Sequence, residues 1–196
     1  MSSNRRTRRF EHDLGREAGF SMIEAVVAIF ILTIGLIGTA AALTFAIEFG
    51  AISKNVTNAK TVIVSSIDEI ESLRNSRRLD FKQIANVGSV DNTDAPNPFT
   101  GFSTGFQDVS LNPGPDGVNG TADDLVSPGP DGIYGTGDDL TDPTQVRSGY
   151  TREISITTVT PTIKRIEVRV RYFAASGKVG EIGGIAYLND EARLTR

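Results

Sequence analysis

The densest potential chemistry in this chain is a set of oxygen ligands. Ten aspartates and no glutamate, lysine or arginine lie between Lys82 and Arg147. Residues 113–125 read PGPDGVNGTADDL and residues 128–140 read PGPDGIYGTGDDL, a tandem repeat with a period of 15. Calcium takes about six to eight oxygens from carboxylates, carbonyls and water, and a glycine-rich loop can fold back to offer them. The spacing is not that of an EF-hand, and an irregular cage suits magnesium less well than calcium. The same residues are also strong turn formers, because Pro-Asp-Gly and Asn-Gly each close a turn. A solvated, metal-free loop is therefore the competing reading. Two copies are too few for a solenoid.

Glu24 is the second residue that attracts a chemical reading. It stands immediately before residues 25–47, which carry no charge. Such a run is long enough to span a bilayer as a helix, which needs roughly 20 apolar residues. A carboxylate costs about 2.5–3.5 kcal/mol at the centre of a bilayer, so a lone one needs a partner. The plainer reading is that Glu24 marks the membrane boundary. Ahead of it lie Arg5, Arg6, Arg8, Arg9 and Arg16 against Glu11, Asp13 and Glu17, a net of +2 in residues 1–19. Removing that segment takes the chain from -4 to -4 - 2 = -6. A basic N-terminus before an apolar run is a targeting pattern, with the arginines expected on the cytoplasmic side. No folded basic face accompanies them, so nucleic acid is not expected as a partner.

The junction Gly19-Phe20-Ser21-Met22-Ile23-Glu24 resembles the leader of type IV prepilins and type II secretion pseudopilins. The resemblance implies that a prepilin peptidase cuts after Gly19 and methylates Phe20. It also implies that Glu24 is the assembly residue, meeting the new Phe20 amine in its own chain or a neighbour's. Within the family, residues 28–38 and 65–74 are most similar to PilV-type minor pilins. The repeat resembles the calcium loop of the major secretion pseudopilin. That likeness implies Asp123, Asp124, Asp138 and Asp139 as the better ligand candidates, with Asp116 and Asp131 next.

These residues need elements to position them. Ile52, Val56, Ala59, Ile63, Ile67, Ile70 and Leu73 recur at spacings of three and four, one apolar helix face. No proline interrupts residues 20–78, a helix about 85–90 Å long at 1.5 Å per residue. Gly35, Gly38 and Gly50 are its weak points. Ile154, Ile156 and Thr158, then Ile166, Val168, Val170 and Tyr172, alternate with polar residues and predict two strands. Residues 182–188 predict a third. Arg165, Arg169 and Arg171 offer a basic patch for a ligand, but the expected reading is a solvated strand face or pairing with acidic loops of a neighbour. The expected fold class is α+β: a long N-terminal hydrophobic helix packed on a small antiparallel sheet, with an irregular acidic loop insertion. The expected division is a leader at 1–19, a membrane or filament-core helix at 20–49 and a periplasmic head at 50–196. Within the head, helix continues over 52–78, the acidic loop spans 88–147 and the sheet spans 150–190.

Catalysis is not expected. The one histidine, His12, falls in the leader, and cysteine and tryptophan are absent. The serines lack an identifiable base. The chain is read as a minor pilin or pseudopilin, anchored in a bacterial inner membrane before it enters a periplasmic or cell-surface filament. Its expected partners are other subunits, the prepilin peptidase, the inner-membrane assembly platform and, before assembly, membrane lipid. The alternative is a single-pass calcium-binding adhesin or receptor with no filament role.

Overall fold

The computed structural model describes residues 21–173 and 177–190. Gly19, Phe20 and His12 lie outside the described residues. Helix α1 runs over Met22–Asn75, 54 residues rich in Ala and Ile and free of proline. The carbonyl of Ser21 accepts the amides of Glu24 and Ala25 at 2.9 and 3.1 Å. Ser21 thus stands at the N-cap and Glu24 three positions on, the Ser-x-x-Glu spacing of a capping box.

The chain divides after Ile47 into two compact units. In the first, no part of the apolar window of α1 is buried. Its hydroxyls are satisfied within the helix: Thr33 donates to the Ile29 carbonyl at 2.7 Å, Thr39 to Leu36 at 2.9 Å and Thr44 to Ala40 at 3.1 Å. A helix that closes its own polar groups and exposes apolar side chains is suited to lipid.

The second unit begins with the rest of α1. The remaining strands are β1 (Gln107–Ser110), β2 (Val126–Ser127), β3 (Leu140–Thr141), β4 (Val146–Thr160), β5 (Ile163–Phe173) and β6 (Val179–Asn189). A four-stranded antiparallel sheet has the order β1-β4-β5-β6, and β2 pairs with β3 separately. The sequence predicts three strands of this sheet; β1 is the addition, a four-residue strand inside the acidic segment. The core joins Ala59, Val62, Ile63, Ile70 and Leu73 of α1 to Ile154, Ile166, Val168, Val170 and Leu188 of the sheet. Close approach depends on Gly184, where a Cβ would stand 2.5 Å from Ile63 Cγ2.

α1 stops three residues before the predicted end at 78. Arg77 adopts φ 58°, and the amides of Arg78 and Leu79 both return to the Leu73 carbonyl, at 3.0 and 3.2 Å. This is a Schellman-type stop with arginine where glycine is usual. The left-handed conformation costs a non-glycine residue about 1–2 kcal/mol.

On the outer sheet face the three arginines pair within the sheet. Arg169 meets Glu153 at 2.5 Å, Arg171 meets Glu181 at 2.7 Å and Arg165 meets Glu167 at 3.2 Å. Arg171 also lies over the Phe106 ring at 3.6 Å.

Candidate functional site

Both copies of the repeat fold alike, and their aspartates set the shape. In the first copy the Asp116 carboxylate accepts the Val118 amide at 2.8 Å, and Asp123 accepts the Asp116 amide at 3.1 Å. Asp124 accepts the Gly120 amide at 2.9 Å, and the Thr121 hydroxyl donates to Asp123 at 2.7 Å. The second copy repeats each bond fifteen residues on. Asp131 accepts from Ile133 at 2.8 Å, Asp138 from the Asp131 amide at 3.4 Å, Asp139 from Gly135 at 2.7 Å, and Thr136 donates to Asp138 at 2.5 Å. Gly114 and Gly129 are both pressed against the carbonyl of the equivalent aspartate, Asp123 and Asp138, with no room for a Cβ.

The two copies meet through β2 and β3. Val126 pairs with Thr141, its own equivalent, and the Asp142 amide donates to the Leu125 carbonyl at 3.0 Å. That register is the register of a local two-fold.

The copies differ in what surrounds them. Val118 is 2% exposed and belongs to the core, whereas its equivalent Ile133 is 60% exposed. Asn119 anchors the first copy to α1, donating its amide and its Nδ2 to Glu69 Oε1 at 3.0 Å each. Arg78 donates to the Asp116 carbonyl at 2.9 Å. Burial pushes the Asp116 carboxyl up to about 6, with help from Asp123 and Asp124 and against the Val118 amide. Burial also raises Asp124, opposed by the Gly120 and Thr121 amides and by Arg152. In the exposed second copy the Thr136 hydroxyl lowers Asp138.

Two cations are buried behind the sheet, and one of them, Arg152, lies beside the first copy. Arg152, 5% exposed, donates to Ser66 Oγ at 2.9 Å, while its Nη2 has no hydrogen-bond partner. Burial lowers its pKa, opposed by Asp124 and Glu69. Lys164 donates to the carbonyls of Phe81 at 2.6 Å and Ile84 at 2.8 Å, and burial lowers its pKa as well. Sequence reasoning passes over both. The signal is strand parity: the alternation that turns Ile154 and Ile166 inward also turns Arg152 and Lys164 inward.

As for calcium, the donors that shape the loop already engage Asp116, Asp123, Asp124, Asp131, Asp138 and Asp139. Among the described residues no three or more His, Cys, Asp or Glu side chains are grouped so as to hold a metal ion. Two buried oxygens of the repeat, Asn119 Oδ1 and Asp139 Oδ1, have no hydrogen-bond partner.

Residues 14–40 match the family profile of the prokaryotic N-terminal methylation motif. The match includes Gly19, Phe20 and Glu24 and ends inside the uncovered part of α1. No curated protein and no solved structure matches the chain.

Proposed function

We propose that this chain is a subunit of a bacterial type IV filament system, a minor pilin or a pseudopilin. The observation that carries the reading is the methylation motif running into an uncovered apolar helix whose first turn holds Glu24. On this reading the prepilin peptidase cuts after Gly19 and methylates Phe20 at the inner membrane, with the head in the periplasm. The assembly platform then moves the helix from lipid into a bundle of subunits. Apolar contacts with lipid are exchanged for contacts with protein, so extraction exposes little apolar surface to water. The Phe20 amine supplies the partner that Glu24 needs.

Mass spectrometry of the chain from its native membrane tests the processing step. The expected N-terminus is methylated Phe20; an intact leader or a cut elsewhere favours a membrane-anchored adhesin or receptor. Glu24→Ala is expected to insert and be cleaved normally, yet to fall about tenfold or more in sheared filaments. That follows from losing a contact worth 1.4 kcal/mol or more. Normal incorporation would remove Glu24 from the mechanism.

Calcium binding by the repeat is a separate proposal. It is supported by the cost of holding Asp116 beside Asp123 and Asp124 in a half-buried loop. An ion that binds only the folded loop stabilises it by about 2.7 kcal/mol at 100 times its dissociation constant. A thermal melt in millimolar calcium is therefore expected to shift upward, and Asp123→Ala with Asp124→Ala to remove part of the shift. Equal shifts in calcium and magnesium would indicate charge screening only.

A further inference from the structure

β6 is an edge strand without the usual guards. It stands last in the order β1-β4-β5-β6, and among the described residues no strand pairs with its far side. It reads VGEIGGIAYLN, eleven residues with one charge, no lysine and no proline, and it pairs with β5 without a bulge. The opposite edge, β1, is four residues long and irregular in register. A long edge strand is a template for another strand, and most proteins blunt it with lysine, proline or a bulge. Every second residue of β6 turns its amide and carbonyl away from β5, a row that a polypeptide backbone matches. On the outer face beside that row, Val179 and Ile185 are each 56% exposed and Tyr187 is 65% exposed.

A groove continues this edge onto α1. Asn55 donates to the carbonyl of Phe173, the partner of Val179, and Arg74 donates to the Asn189 carbonyl. β6 therefore runs alongside the head's stretch of α1 and in the same direction. Arg152 of β4 reaches Ser66 on one flank of the helix, and Gly184 of β6 lies against Ile63 and Ile67 toward the other. At about 100° per residue, Lys60, Val64 and Asp68 fall on the flank beyond β6. With Thr57, Thr61 and Ser65 they line an open groove of about 440 Å³, in which Val64 is 56% exposed. Lys60, Val64 and Asp68 follow one another at four-residue steps, about 6 Å along a helix. Alternate residues of a strand are about 6.6 Å apart, so an added strand presents alternate side chains to the three in turn.

We propose that β6 and this groove receive an extended strand of a different protein subunit. Its inward row carries an acidic, an apolar and a basic residue opposite Lys60, Val64 and Asp68, and its outward row lies beside Val179, Ile185 and Tyr187. The occupant is not a second copy. Antiparallel pairing of two β6 edges turns the head's stretch of α1 end for end, so two chains anchored in one membrane would enter the joint sheet from opposite ends. Parallel pairing needs opposite alternate residues to face outward, whereas two identical edges in register offer the same ones. The inference rests on the filament reading for the company of other subunits.

A photo-crosslinking phenylalanine analogue replaces Val64, Ile185 or Tyr187 in three separate full-length chains, irradiated in whole cells. All three are expected to join one segment of one different protein. The Ile185 and Tyr187 adducts should fall two residues apart on that segment. The Val64 adduct should fall on its other row, with an acidic residue two positions to one side and a basic residue two positions to the other. Reversing the groove's charges with Lys60→Glu and Asp68→Lys is expected to cut the Ile185 adduct about tenfold. Both residues are exposed, so the melt of the purified full-length chain should not move. Adducts to a second copy, to lipid or to scattered segments would overturn the proposal, as would a yield indifferent to the charge reversal. Sheared filaments from the same cells separate the two readings. A chain present in filaments without converging adducts rejects the strand contact alone. Absence of the chain from filaments rejects the filament reading, and converging adducts would still uphold the strand contact.

Discussion

Asp116 shows how one side chain couples the repeat to the core. Its carboxyl titrates near 6 in the folded chain against an ordinary value of 3.8. The folded state therefore binds the proton more tightly than the unfolded state, and stability falls as pH rises from about 4 through 6. Above 6 the full cost of the buried charge is present. Asp116→Asn keeps an oxygen for the Val118 amide and removes the charge. The variant is expected to melt about 2–4 °C above the parent at pH 7.5, a gain of about 1 kcal/mol after discounting for solvent screening. At pH 4 the two melts should nearly coincide. A gain of equal size at both pH values would show that charge at Asp116 is not the cause. Chelator in every sample separates this effect from calcium.

At the scale of elements, the helix and sheet meet where glycine permits it. Gly184→Val would drive a side chain into Ile63 and is expected to cost about 1–3 kcal/mol by overpacking. Gly183, one residue earlier, faces the other way, and a Cβ there would lie 3.4 Å from Arg169 Cγ. Gly183→Ala is the matched control and should melt within about 0.5 kcal/mol of the parent. Urea denaturation of both variants checks the pair. The helix and the inward faces of both strands were legible from periodicity. β1 was not, because four residues of a Gly- and Asp-rich segment carry no alternation; Val109 and Ser110 become buried by pairing with β4. The helix end at Asn75 was also hidden, since Arg77 is not a residue that sequence rules place in a left-handed cap. In the repeat, the duplication and its turn residues were visible. Which copy packs against Glu69 and Arg152 was not, because that depends on partners about 30–50 positions away in the chain.

For the molecule as a whole, burial among the described residues is confined to one of its units. The buried residues of α1 begin at Ala59, and the core cluster contains nothing earlier. A chain lacking residues 1–47 is therefore expected to leave the membrane fraction and still unfold in a single cooperative step. Flotation and a circular dichroism melt would check both parts. A truncated chain without a cooperative transition would mean that the head draws stability from the apolar segment.

The local two-fold of the repeat also bears on ancestry. Two loops of the same length and bonding, joined at a self-equivalent register, are what a duplicated gene segment leaves behind. One descendant has been drawn into the interior and inherits its constraints; the other has been left with a spare scaffold. In a saturation library, positions 118–121 should accept few substitutions and positions 133–136 many, provided selection acts on folding of the isolated subunit. Under selection for assembly the second window should narrow, so the paired libraries would show whether the younger freedom has already been put to use.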